Sequence, residues 1–299
     1  MKKLSHLLQY AALRTLYFIF AFLPLGFTYS LAKGLGSFVF HVIGFRKQVV
    51  LDNLHTAFGN EKTDTEIAEL AHQTYQNIAM SFIELMVSQK LVISVLQMIE
   101  LQHVEVVHRL LKKGHGLIMV SAHLGNWELQ GAAAAAIIKS PVTVAATKQS
   151  NPYINRFINR QRNDLGMQVA GSKGARKLLL RALKNHQAIG LVADQNAGRD
   201  AVFVDFFGKL AATQPGPAQL ALKYRAPIVV GAAVRTAPGK FKILHQEVEI
   251  EDDDTVESLT QRHVKILEGF IRRYPEQYFW LHRRWKRRPE GELSSYETG

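Results

Sequence analysis

Short apolar runs rich in β-branched residues, separated by stretches of helical composition, constrain this chain most. The runs are GLIMVSAH (116–123), VTVAAT (142–147), AIGLVAD (188–194) and PIVVGAAVR (227–235). Each is too short for a typical buried helix, which points to strands covered on both faces. Between them lie WELQGAAAAAII (127–138), Pro152–Arg162, Lys173–Asn185 and Gly216–Arg225, and Thr255–Tyr274 follows. All five read as helices. FKILHQEVEI (241–250) partly alternates and suits an edge strand. Upstream, Thr63 and Glu66 make a capping box, and Ile67, Leu70, Ala71, Ile78, Phe82, Leu85 and Met86 fall on one helical face. Alternating strands and helices predict an α/β sheet with helices on both faces. No linker or repeat divides the chain, so residues 46–299 are expected to form one domain behind a hydrophobic segment at 1–45.

That segment contains Thr15–Ala32, 18 residues without a charge. As one helix it would span about 27 Å, close to the hydrocarbon thickness of a bilayer. Lys2, Lys3 and Arg14 precede it, favouring a cytoplasmic N-terminus, while Pro24 and Gly26 interrupt it. Three readings fit: a membrane anchor, which is preferred, a buried or interfacial helix, and a signal peptide cleaved after Ser30-Leu31-Ala32.

Charge narrows the partners. The chain carries 37 Lys+Arg against 25 Asp+Glu, a net of +12. Nine of the basic residues lie between Lys148 and Lys184, with Asp164 the only acid. Nine more lie between Arg262 and Arg288, against Glu268 and Glu276. Two such clusters call for anionic partners, although either alone is also compatible with a solvated face. There are no cysteines, which excludes a disulfide framework, a thiol nucleophile and cysteine-ligated metal. Mean hydropathy is −0.04, too low for a polytopic membrane protein.

No phosphate-binding loop, dinucleotide fingerprint, HExxH or G-x-S-x-G is present, and the 12 histidines form no metal-spaced pair. One histidine stands apart. His123 ends an apolar run in His123-Leu-Gly-Asn-Trp-Glu128, at the strand C-terminus where α/β sheets bind ligands. Gly125 permits a tight turn, so His123 and Glu128 are expected to approach. A carboxylate that holds one ring nitrogen leaves the other to take a hydroxyl proton. The spacing equally suits a capped turn with a hydrogen-bonded histidine.

His123-Leu-Gly-Asn-Trp-Glu128 after an apolar strand resembles the HX4(D/E) motif of glycerolipid acyltransferases. Its Asn-Trp-Glu form is similar to the late acyltransferases of lipid A biosynthesis, the lauroyl and myristoyl transferases. The similarity covers nearly the whole chain: Arg46-x6-Asn53-Leu54-x3-Phe58, Asn151-Pro152 with Arg160-x-Arg162, Gly190-Leu-Val-Ala-Asp194-Gln195-Asn196, Val202-Phe-Val-x-Phe206-Phe207-Gly208 with Ala212-Thr213, and Tyr278-x-Trp280-Leu-His282 running on to Arg288-Pro-Glu-Gly291.

The resemblance implies a glycerol-3-phosphate-acyltransferase-like mixed sheet flanked by helices, an N-terminal membrane-anchoring helix and a catalytic domain over 46–299. It implies transfer of a fatty acyl chain from an acyl carrier protein thioester to a hydroxyl of a phosphorylated lipid A precursor, in lipopolysaccharide biosynthesis. The site would face the cytoplasm at the bacterial inner membrane, beside anionic lipids, without metal or cofactor. His123 would be the general base and Glu128 would orient it. Arg160 or Arg162 would stabilise an oxyanion or hold a phosphate, and Asn126, Asp194 and Gln195 would bind substrate. Arg283, Arg284, Lys286, Arg287 and Arg288 would meet lipid phosphates or the carrier. The nearest alternative is a related acyltransferase acting on a phosphatidylinositol mannoside or a lyso-aminolipid. A nucleic-acid-binding role fits poorly, because the basic residues are not interleaved with stacking aromatics. A non-catalytic membrane scaffold is the remaining alternative.

Overall fold

The run at 116–123 forms the centre of the sheet. In the computed structural model, which describes residues 2–86, 99–171, 174–291 and 296, strand β2 (Leu117–Ser121) is buried at all five positions. It pairs in parallel with β5 (Ala188–Val192) on one side and β8 (Ile228–Ala237) on the other. Beyond β5 come β3 (Val142–Ala146) and, at one edge, β4 (Met167–Gly171), both parallel. Beyond β8, β9 (Lys240–Val248) runs antiparallel and carries the short β1 (Ile99–Leu101) at the other edge. The order is therefore β1-β9-β8-β2-β5-β3-β4, a mixed sheet with one antiparallel pairing.

Side chains on β2 alternate between two cores, as a pleated strand requires. Ile118 and Val120 pack with Leu54, Phe58, Ile67 and Trp280 on one face. Leu117 and Met119 pack with Val107, Leu110 and Ala134 on the other. Burial on both sides is why the run reads as continuously apolar.

Three expectations change. The strand at 241–250 is not an edge strand, because β1 covers it. β4 and the antiparallel hairpin β6 (Val202–Phe206)–β7 (Lys209–Thr213) were not foreseen as strands. The helix expected from Lys173 runs over Ala175–Lys184, and Lys173 itself lies outside the described residues. The Thr63 capping box forms as read: Thr63 N–H donates to Glu66 Oε2 at 2.8 Å, and Glu66 N–H to Thr63 Oγ1 at 3.3 Å. On the helix it starts, Asp64–Met86, Phe82 faces outward while Glu84 is buried, the reverse of what the apolar pattern suggested.

The uncharged N-terminal segment is not one helix. Proline lacks an amide hydrogen and disfavours helical geometry in the residue before it. Pro24 accordingly separates helix α1 (Lys2–Phe22) from α2 (Leu25–Phe38). Among the described residues no helix is long and apolar enough to cross a membrane, so the expected transmembrane anchor has no support in the structure. Instead α1 lies along helix Pro152–Asp164, where Tyr17 meets Phe157 edge-on at 5.6 Å. α2 crosses Asp64–Met86 so closely that a Cβ on Gly36 would sit 2.5 Å from Gln76 Cα. Their outer faces leave Phe18, Phe22, Phe27, Leu35 and Phe38 exposed, Phe22 by 83%.

Candidate active site

Between β2 and helix Trp127–Ile138 the chain makes one tight turn. Gly125 adopts φ +62°, and a Cβ there would fall 2.0 Å from the Ala233 carbonyl oxygen, so only glycine fits. Gly125 N–H donates to Gln277 O at 2.9 Å, and Asn126 N–H to Ala233 O at 2.8 Å. Phe279 N–H donates to His123 O at 2.9 Å. Asn126 caps the following helix by accepting the Leu129 N–H at 2.8 Å.

This turn sets His123 against Asp194, at the end of the neighbouring strand β5. Ring Nδ1 lies 2.8 Å from Asp194 Oδ1, and the His123 backbone N–H donates to Oδ2 at 3.0 Å. A carboxylate only accepts, so the proton sits on Nδ1 and Nε2 carries the lone pair in the neutral ring. Trp127 and Phe279 flank the ring with centroids at 4.9 and 5.9 Å. Burial disfavours the imidazolium most strongly, but the charge and hydrogen bond of Asp194, helped by the charge of Glu128, outweigh it. The His123 pKa is therefore raised. Asp194 is also buried, which opposes its ionisation. His123 and the more distant Arg284 overcome that and hold its pKa below the usual carboxylate range.

The direct His123–Glu128 pair expected from the sequence is replaced by this one. Glu128 instead accepts two hydrogen bonds from Arg162, Nε to Oε2 at 2.8 Å and Nη2 to Oε1 at 2.5 Å. Of the two candidate arginines only Arg162 lines the cavity beside His123. Residues two apart on a helix point to nearly opposite sides. Arg160 accordingly faces solvent, its side chain 81% exposed, with Asp164 at 3.8 Å. Gln195 lines the cavity. Asn126 does not: its carboxamide is buried, donating to Glu84 Oε2 at 2.8 Å.

The cavity holds about 270 Å³. Its polar end carries His123, Glu128, Arg162, Gln149 and Gln195, and its apolar end Met119, Ala134, Val142, Val144 and Met167. Met167 packs directly on Gly131, where a Cβ would meet its Sδ at 2.4 Å. A polar corner opening onto an apolar recess suits a reactive head joined to a hydrocarbon tail.

The loop bearing Asp194 is held by Asn196, His282 and Asn53, which the sequence left without a role, and by the Arg287 backbone. Asn196 N–H donates to His282 Nε2 at 2.9 Å, and Arg287 N–H to Asn196 Oδ1 at 2.9 Å. Burial pushes His282 down to about 4, which keeps it a neutral acceptor. Asn53 Nδ2 in turn donates to the Trp280 and His282 carbonyls at 2.6 and 2.8 Å. Arg284, expected to meet lipid phosphates, is buried and donates to Ala212 O at 2.6 Å and Thr213 Oγ1 at 2.5 Å.

A family model described as bacterial lipid A biosynthesis acyltransferase matches residues 1–287. The lipid A biosynthesis lauroyltransferase of Escherichia coli K12 is 27% identical over 282 residues, 92% of this chain and 90% of that protein. The palmitoleoyltransferase of the same organism is 30% identical over 187 residues, 62% of this chain and 60% of its own length. The phosphatidylinositol mannoside acyltransferase of Mycolicibacterium smegmatis is 26% identical over 179 residues, 58% of each chain.

Proposed function

Because this chain belongs to the bacterial lipid A biosynthesis acyltransferase family, we propose that it transfers a fatty acyl chain from an acyl carrier protein thioester to a hydroxyl of a phosphorylated lipid A precursor. The observation that carries this reading is the His123–Asp194 pair beside a cavity with a polar mouth and an apolar recess. Neutral His123 takes the acceptor's hydroxyl proton on Nε2 while the oxygen attacks the thioester carbonyl. Asp194 stabilises the imidazolium that forms. Arg162 lies where it can meet the charge developing on the carbonyl oxygen. Glu128 engages two of its five N–H donors and holds its guanidinium in place. The tetrahedral intermediate then breaks its C–S bond, and the carrier's thiolate recovers the proton from His123. No cofactor enters this scheme. Gln195 contacts substrate at the mouth, and the acyl tail enters the recess ending at Met167.

In this reading residues 46–299 form the catalytic domain and residues 1–45 attach it to the inner membrane from the cytoplasmic side. The exposed apolar faces of α1 and α2 support a position within the interface rather than a span. Lys33, exposed on this N-terminal segment, suits anionic headgroups.

A transfer assay with radiolabelled acyl carrier protein tests this directly. A lipid A precursor, a phosphatidylinositol mannoside and a lyso-aminolipid are offered as acceptors, and products are identified by mass spectrometry. Ester formation on the lipid A precursor is expected. Exclusive acylation of another acceptor overturns the substrate assignment, and no ester on any of them overturns the activity.

A further inference from the structure

Beneath the 123–126 turn lies a buried carboxylate that the proposed chemistry does not use. Glu84 is 2% exposed, and four donors converge on it. Oε1 accepts from Arg235 Nε at 2.6 Å and from the Tyr29 hydroxyl at 2.6 Å. Oε2 accepts from Arg235 Nη2 at 2.7 Å and from Asn126 Nδ2 at 2.8 Å. Arg235 also donates to Asn77 Oδ1 at 2.7 Å and Ser81 Oγ at 3.1 Å, and the Ser81 hydroxyl donates to Gly125 O at 2.9 Å. Two contacts therefore reach the turn from below, one through the Asn126 side chain and one through the Gly125 carbonyl.

We infer that Glu84, clamped by Arg235 and Tyr29, is a positioning residue for the turn that carries His123 and Glu128. The inference rests on the reading of His123 as the base. A buried ion pair recovers little more than its own desolvation, so stability alone gives no reason to prefer it to an apolar pair. What it supplies is direction, since each donor must point at a fixed oxygen. Asn126 is thereby held at the angle at which it caps Trp127–Ile138, and the cap fixes where Glu128 leaves the helix. Tyr29 belongs to α2, so the seat of the N-terminal helices on Asp64–Met86 is linked to the same carboxylate.

Removing Glu84 would strand the buried Arg235 charge and risks unfolding, so the test uses milder changes in the full-length protein. Asn126→Ser keeps a good helix cap but is too short to reach Glu84. Tyr29→Phe removes a single donor. Asn126→Ser is expected to lower kcat about tenfold with both KM values unchanged, the loss of one charge-assisted hydrogen bond. Amide hydrogen exchange across 122–130 should quicken by a similar factor while the melting temperature stays close to that of the parent. Tyr29→Phe should move the same two readouts in the same direction, by less. Unchanged kcat and unchanged local exchange in both variants overturn the inference. So does faster exchange spread evenly over the chain, which would make Glu84 a stabilising residue only. If the parent protein transfers no acyl chain, the acyltransferase reading falls, and exchange across 122–130 still decides whether Glu84 positions the turn.

Discussion

His123 and Asp194 occupy equivalent places on neighbouring parallel strands, each two residues beyond the paired Ser121 and Val192. The register of β2 with β5 thus delivers both side chains to one end of the sheet, where they meet at 2.8 Å. Such a pair makes the activity of the site depend on both members in different ways.

Replacing His123 by Ala should lower kcat by about 10²–10⁴-fold, the usual contribution of a placed general base, with the fold retained. Asp194→Asn should cost less, because the ring remains but its imidazolium loses a charged partner. Steady-state transfer kinetics check both, and an active His123→Ala protein would end the mechanism.

The pH profile carries a sign. A base must be unprotonated, so kcat/KM should rise with pH. Because the His123 pKa is raised, the midpoint of that rise should lie above the ordinary histidine value of 6.5. In Asp194→Asn the burial that depresses the pKa persists and the larger attraction that raises it is gone, leaving only the charge of Glu128, so the midpoint should fall. A midpoint unmoved by this substitution would separate the two residues functionally.

Arg162 and Arg160 should part company. Arg162→Ala removes the partner of a buried Glu128 and, in the proposed mechanism, a charge beside the reacting carbonyl, so kcat should fall by about 10²-fold or more. Arg162→Lys should rescue little, since a lysine cannot reproduce the two-pronged contact. Arg160→Ala should leave both kcat and KM near their original values.

Much of the fold is legible in the sequence where burial is two-sided. β2, β5 and β8 announce themselves because Leu117–Val120, Ala188–Ile189 and Ile228–Val234 are buried, continuous and apolar. β4 does not: Met-Gln-Val-Ala-Gly at the sheet edge has one neighbour, and its pattern is weak. The β6–β7 hairpin escapes notice because its turn is Phe207-Gly208, with Phe207 at φ +57° where asparagine or glycine is the usual signal. Within the site, His123 and Glu128 are readable from their spacing, whereas Arg162 enters only through the family resemblance, which did not separate it from Arg160. The pairing of His123 with Asp194 depends on strand order, which local spacing does not encode. Glu84 hides on a helix whose repeat marks it as a solvent-facing acid.

Membrane attachment through the N-terminal helices predicts that Phe22→Asp with Phe27→Asp weakens sedimentation with anionic vesicles at unchanged melting temperature, since both side chains are exposed. High salt should weaken the remaining binding further, as screening shortens the reach of the basic residues. Undiminished vesicle binding by this double variant would place the attachment elsewhere.

In the acyl-transfer reading, the tail is proposed to stop at Met167, one of the apolar residues lining the cavity. Met167→Ala removes three heavy atoms from its far wall and should shift the preferred donor toward chains longer by about two or three methylenes. Competition between carrier thioesters of different lengths checks this, and an unchanged preference would exclude Met167 as the stop.

Met167 belongs to β4, which among the described residues is bonded to one neighbour only, whereas His123 and Asp194 follow strands with neighbours on both sides. The two ends of the cavity therefore differ in how freely they can drift. A change of side-chain volume on the edge strand disturbs a single ladder, and the rigid interior that aligns the reacting groups is spared. In the acyl-transfer reading, tail length could then be retuned at small cost in folding while the proposed chemistry stays as it was. A family whose members are named for lauroyl and for palmitoleoyl transfer would draw its variety from that margin of the sheet.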